Sequence, residues 1–408
     1  MKKLLSTFIA LVLMISTVFS TGIINAFAEE NYQYDEYGSI IDYDENGEKI
    51  FIDVNGPEFE KTEISSYTES SIQLLWEISF GDNDQGFEIL AAEGNSKEFK
   101  HIKYYNPKND DYEFKYTVKN LKPGTKYAFK IRYYETHYNK KYFVVDSKPF
   151  YAATCPKKTK VTSAKYKSKG KVKLKWKKAK GADGYMIVYS TSKKFYSEYT
   201  NFEFSESKKN KYTVSHLSNS KYYFKVVPYT NSADKQAYLG KNSNVKNTKV
   251  KKGYTLKQII NHYKTDNSGR KEILDITKKG VDIKKHKTTY DKMMAIYKWH
   301  AKHSADFRSC MDCNMSFNDC IDYLFGKNRR YDGFILLAAG NYQNRSGSKE
   351  IHKWSVLFFA GKAYIFDPRM QGNIKDYNGT KYFAVPYGSS TSKSYLFEGW
   401  MLGWRGFE

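Results

Sequence analysis

Cysteine is scarce. The 408 residues contain four thiols, Cys155, Cys310, Cys313 and Cys320. That is too few for the disulfide framework on which small exported domains rely. Cys155 stands alone, whereas the other three fall within eleven residues, which points to catalysis, metal binding or redox chemistry. Long apolar runs are equally lacking beyond the first 28 residues. No later stretch approaches the ~20 residues that span a bilayer, so a membrane span in the mature chain is not expected. Acidic residues are in the minority, 44 against 67 Lys and Arg, for a formal charge of +23.

What is there begins with a processing signal over residues 1–28. Lys2 and Lys3 form a basic start, Leu4 to Phe19 is largely apolar, and Ala26-Phe27-Ala28 is a small-x-small cleavage site. The mature protein is therefore expected to be secreted, extracellular or held at the cell wall. Losing Lys2 and Lys3 lowers the formal charge from +23 to +21. Twelve lysines crowd between Lys157 and Lys180. For an exported chain, the counterpart of such a surface is an anionic wall or other polyanion rather than nucleic acid, unless it is merely a solvated face.

Residues 29–55 read as an exposed acidic linker. They carry Asn46-Gly47 between two Ile-containing runs, the signature of a small hairpin. From residue 56 to 154 the chain reads as short strands separated by turns: Ser71–Ile78, Gly86–Ala91, Phe114–Val118, Tyr127–Tyr134 and Tyr142–Val145. The plan repeats over residues 155–250. Trp76 recurs as Trp176, and Leu121-Lys122-Pro123-Gly124-Thr125-Lys126-Tyr127 recurs in weaker form as Leu217-Ser218-Asn219-Ser220-Lys221-Tyr222. Both tryptophans are expected in packed sandwich cores. These landmarks resemble fibronectin type III domains, so two β-sandwiches are expected. Neither copy contains Arg-Gly-Asp, and nothing argues for integrin-type adhesion.

Residues 251–408 change pattern. Thr255–Tyr263 and Tyr290–His303 have helical period, and His300 and His303 on or near the second helix's apolar face are expected to be core or capping residues. Counting from Cys313, Phe317, Cys320, Ile321 and Leu324 form one stripe of a third helix. This places Cys313 at or just before the helix start, where the dipole favours a thiolate, and Cys320 in the core. Tyr331–Ala339 reads as a strand. His352-Lys353-Trp354 then leads into a strand pair turning at Ala360-Gly361, and Asp367 follows in Phe366-Asp367-Pro368. A two-residue turn pairs Phe359 with Lys362, sets His352 opposite Arg369, and makes His352 and Asp367 diagonal neighbours on one face. Thiol, imidazole and carboxylate are the parts of a Cys-His-Asp site.

The order of helix, Cys, strand, H-x-W strand, turn and F-D-P resembles the bacterial transglutaminase-like (papain-related) domain over about residues 255–400. The resemblance implies an α+β domain in which His352 is the base and Asp367 its orienting carboxylate. The usual Gly-x-Cys is absent. Cys313 is the expected nucleophile on spacing, and Cys310 is the alternative. The implied chemistry is acyl transfer on a protein or peptide substrate, with no cofactor and no metal. Two other readings stand beside it. One is a non-catalytic surface or wall-binding protein with a degenerate C-terminal domain. The other is a zinc site drawn from His300, His303, Cys310, Cys313 and Cys320.

Overall fold

The structure is a computed structural model that describes residues 32–52, 56–79, 85–107, 112–195, 200–205, 209–263, 265, 281, 283–325, 335–344, 346–387 and 389–400. The cleavage signal expected over residues 1–28, and Tyr331 to Phe334 of the expected strand, lie outside the described residues. No helix among those described is long and apolar enough to cross a membrane. The chain divides into two compact units, one built mainly from residues before 154 and one mainly from those after it.

In the first unit, the acidic segment is a three-stranded antiparallel sheet rather than an exposed linker. Its strands are β1 (Gln33–Tyr34), β2 (Ile40–Tyr43) and β3 (Lys49–Ile52). Enough is buried after all: Ile40 and Ile52 pack with Tyr142. Asp42 accepts a hydrogen bond from the Tyr142 hydroxyl at 2.6 Å, and Lys140 pairs with the same carboxylate. The hairpin expected at Asn46-Gly47 is present, and the Asp44 carboxylate closes its turn by accepting from the amides of Asn46 and Glu48.

The sandwich that follows has β4 (Phe59–Tyr67), β5 (Ile72–Ile78) and β8 (Glu113–Val118) in one sheet. Its other sheet holds β6 (Gln85–Glu93), β7 (Lys100–Tyr105), β9 (Lys126–His137), β10 (Lys140–Asp146) and β11 (Phe150–Ala153). Trp76 is fully buried against Phe87 and Phe114 between them. Strands β4, β7 and β11 were not legible in the sequence. No side chain of β4 or β7 is fully buried and β11 has only four residues, so hydrophobic alternation is weak there.

In the second unit, β12 (Val161–Ser168), β13 (Lys171–Trp176) and β16 (Lys211–Val214) form one sheet. The other comprises β14 (Gly184–Ser190), β15 (Thr200–Ser205), β17 (Lys221–Asn231), β18 (Ala237–Leu239) and β19 (Lys246–Lys249). The strand order repeats that of the first sandwich, and Trp176 is buried as expected, with its ring edge-on to Tyr185. The lysine run forms the outer face of β12 and β13. Val172, Leu174 and Trp176 point inward while Lys171 and Lys175 alternate outward.

This sandwich does not end where its strands end. One continuous hydrophobic core runs from Leu174, Tyr189 and Phe224 through helices α1 (Leu256–Ile260), α2 (Thr289–Lys302) and α3 (Cys310–Phe325). It then reaches Leu357 and Phe359 of β21 (Lys349–Phe359) and Phe366 of β22 (Lys362–Phe366). The turn between β21 and β22 seats directly on the sandwich. Ala360 and Gly361 both have positive φ, +51° and +71°, which a two-residue hairpin turn requires. A Cβ on Gly361 would sit 3.2 Å from the rings of Tyr189 and Tyr222.

The C-terminal sheet has the order β23 (Val385–Pro386), β22, β21, β20 (Ile335–Gln343), β24 (Tyr395–Trp400). One face carries Trp354, Val356, Phe358 and Ile365, and the other faces the helices. Phe359 pairs with Lys362, as the turn length demands. Pairing stops at Ser355 with Phe366, so His352 is not set opposite Arg369. Instead Asp367 caps a short helix, α4 (Pro368–Asn373), and the chain turns away. Pro368 explains the change, since it cannot donate to a ladder but suits a helix's first turn. Strand β20 runs on through Gly340 to Gln343, beyond the end expected at Ala339.

Tyr222 ties the two halves of this unit together. Its buried hydroxyl donates to the Ala360 carbonyl at 2.9 Å and accepts from the Ser218 amide at 3.1 Å. Tyr222→Phe leaves both groups without that partner and should cost about 1–3 kcal/mol. With a shared core, the loss should appear in a single unfolding transition reporting on both sandwich and C-terminal sheet. Two separated transitions, only one of them shifted, would contradict that coupling.

Candidate active site

Helix α3 begins one turn earlier than the stripe from Cys313 implied. Ser309 caps it: its Oγ accepts from the Asp312 amide at 3.1 Å and donates to the Asp312 carboxylate at 3.0 Å, while its carbonyl accepts from Cys313 N–H. Ser309-x-x-Asp312 is a capping-box variant that the sequence already displayed. Cys310 is therefore the first helical residue. Cys313 belongs to the apolar stripe itself, with no solvent exposure, alongside Phe317, Cys320, Ile321 and Leu324.

His352 and Asp367 do come together. Nε2 of His352 lies 2.6 Å from Oδ2 of Asp367, and a carboxylate can only accept, so the imidazole donates. Asp367 is completely buried and has three further donors: the Tyr395 hydroxyl at 2.9 Å, the Met370 amide at 3.1 Å and Asn314 Nδ2 at 3.4 Å. Burial pushes the His352 pKa down, but the charge and hydrogen bond of Asp367, helped by Cys310, overcome it and raise it to about 10.

The thiol that meets this pair is Cys310. Partial burial pushes its pKa up, yet the neighbouring His352 and the Lys353 backbone N–H outweigh that and the net shift is downward. With Nε2 committed to Asp367, Nδ1 is the nitrogen available to the thiol. Cys313 makes no hydrogen bond with His352, and burial followed by the charge of Asp367 drives its thiol pKa far upward. Cys320 is likewise a core thiol, pushed up to about 12 chiefly by burial.

Two residues of the cluster went unnoticed in the sequence. Asn314 lies one turn after Cys310, and its buried amide donates to the carbonyls of Cys310 at 3.0 Å and Lys353 at 2.9 Å. The i, i+4 spacing from a helix-start Cys was a usable signal. Tyr395, on the last strand, carried none. The H-x-W spacing also acquires a reason. Trp354 follows His352 on the same strand face and lies parallel to its ring, and it packs with Tyr395 to exclude water. The expected zinc ligands are not gathered, and among the described residues no group of three or more His, Cys, Asp or Glu is arranged to hold a metal. His300 is a core residue instead, donating from Nδ1 to the Ile296 carbonyl and facing Ser316 with Nε2, and burial lowers its pKa to about 4. His303 ends α2 as its C-cap and pairs with Asp306.

Residues 57–144 match the family profile of the fibronectin type III domain. This stretch is a fibronectin type III domain. The second sandwich repeats its strand order and is fibronectin type III-like in fold. Among solved structures, the FN1–FN3 domains of chicken CNTN1 overlay with a TM-score of 0.31 at 14% identity, covering 52% of this chain and 77% of that one. A two-domain fibronectin type III segment of chicken tenascin gives a TM-score of 0.26 at 16% identity, covering 48% and 99%. No curated protein matches the chain.

Asp367→Asn keeps the shape but removes the charge that raises His352. The imidazole's pKa should then fall well below about 10, because burial is left opposed by Cys310 alone. Histidine NMR titration reads this directly. An unmoved value would remove Asp367 as the cause.

Proposed function

We propose that the chain is an exported cysteine acyl-transfer enzyme carried on fibronectin type III-like modules, with Cys310 as nucleophile, His352 as base and acid, and Asp367 as orienting carboxylate. The single observation that carries this reading is the half-buried Cys310 thiol at a helix start, its pKa lowered beside an imidazole bonded at 2.6 Å to a buried carboxylate. A thiol with no such task would be expected to rise with burial, as Cys313 and Cys320 do. Export rests on the signal-like residues 1–28, and a protein or peptide substrate on the chemistry of a thiolate toward carboxamide carbonyls.

In the reaction, His352 holds the proton and Cys310 the negative charge. Sγ adds to the carbonyl carbon of a carboxamide or peptide bond. The oxygen takes up the negative charge near the first turn of α3, where the amides of Cys310 and Met311 have no acceptor among the described residues. Collapse breaks the C–N bond as His352 gives its proton to the leaving nitrogen, which leaves a thioester on Cys310. An amine or water then attacks, His352 takes its proton, and the thiolate is released. An amine acceptor yields a crosslink, and water yields deamidation or hydrolysis.

Iodoacetamide labelling against pH, with peptide mapping, tests the assignment. Cys310 should alkylate selectively and well below the ordinary thiol value of ~8.5, while Cys313 stays protected until unfolding. His352→Ala should return Cys310 to ordinary behaviour and, like Cys310→Ser, lower any amidase or amine-incorporation rate by at least about 10³-fold. Equal, slow labelling of all accessible thiols in wild type and mutant would replace this reading with a non-catalytic binding protein.

A further inference from the structure

A cavity of about 660 Å³ opens on the outer side of α2, the side away from the buried Met293, Ile296, Tyr297 and His300. Lys298, Trp299 and Lys302 form its helical wall, Lys285 and His286 face them, and Tyr377 forms its lip. The size is that of a small-ligand site. Its lining is cationic and aromatic, with no carboxylate among the described residues that line it. Neither Lys298 nor Lys302 is ion-paired among the described residues. Standing four positions apart, they rise from one helix face with Cβ atoms roughly 6 Å apart. Trp299 is stacked by the His303 ring, with centroids 4.6 Å apart and planes 24° apart, meets the His300 ring edge-on at 5.0 Å, and is part-exposed where it lines the cavity. Asp306 pairs with His303, one of the lining residues, and not with either lysine.

We propose that this cavity binds an anionic sugar oligomer, with a sugar ring against the part-exposed indole of Trp299 and successive acidic groups on Lys298 and Lys302. Unpaired lysines one helical turn apart suit charges that repeat along a chain, and a part-exposed indole beside them suits a flat, partly apolar ring. A bare anion would use the lysines and leave the aromatic residues without a part. The site is independent of the Cys310 reading, because it lies on the opposite face of α2 and involves none of the catalytic side chains. It is also distinct from the lysine face of β12 and β13, none of whose residues lines it.

Calorimetric titration of the full chain with trigalacturonate, maltotriose and inorganic tripolyphosphate tests the proposal. Trigalacturonate should bind saturably and weaken as salt rises, with the neutral trisaccharide and the ringless polyphosphate each at least about tenfold weaker, the scale of one lost charge-assisted or stacking contact. K298Q/K302Q should lose roughly tenfold or more in affinity, while K171Q/K173Q on the other lysine face should bind like wild type. Trp299→Leu provides a second variant should the double change disturb α2, and its loss should be seen for trigalacturonate but not for tripolyphosphate. Absence of saturable trigalacturonate binding, tripolyphosphate binding as tightly as the sugar, or an unaffected K298Q/K302Q would each overturn the assignment.

Discussion

A carboxylate with no access to water holds the C-terminal half of this protein in register. Burying an ionised group is costly unless its oxygens are satisfied, and Asp367 meets that cost with donors from four separate elements: β21, β24, α3 and the first turn of α4. Each donor is thereby fixed relative to the others. The position of α3 against the sheet, and so of Cys310 against His352, follows from the same network through Asn314. Taking the charge away while leaving the imidazole buried would cost on the order of 3–5 kcal/mol. The geometry of the Cys310–His352–Asp367 cluster and fold stability are carried by one side chain.

The aromatic shell around that pair works in the same direction. Trp354, Tyr342, Tyr382 and Tyr395 surround His352 and Asp367, so the field of the carboxylate acts on the imidazole with little screening. Burial opposes the imidazolium and the carboxylate favours it, and the second effect wins. The thiol sits at the rim, where burial is partial and the helix dipole helps, so its charge is tolerated where that of Cys313, three residues further along, is not.

Much of this was legible in the residues. Trp76, Trp176 and the corner sequences identified sandwiches because core-facing β-strands alternate strongly and a buried tryptophan is a fixed landmark. The hairpin register followed from turn length, whereas His352 and Asp367 meet beyond the end of the ladder, where Asp367 caps α4, rather than as the diagonal pair expected from period two. The choice between two thiols did not follow, because the stripe was counted from Cys313 as if it preceded the helix. The cap at Ser309 moves the start by one turn and makes Cys313 part of the stripe. Tyr395 reaches Asp367 across 28 residues of chain, and no local pattern encodes that contact. The acidic N-terminal sheet was hidden because its core is small and includes Tyr142, a residue borrowed from far along the sequence.

The turn at Ala360-Gly361, seated on Tyr189 and Tyr222, has a consequence for how this protein can be divided. The second sandwich is not an interchangeable bead on a string, since its inner residues complete the interior of the α+β part. A protease cutting near Lys252 would not release a self-sufficient folding unit. In evolution the segment from about residue 155 onward would be inherited or exchanged as one block, whereas the fibronectin type III domain ahead of it contains its own core and is free to be duplicated, lost or replaced.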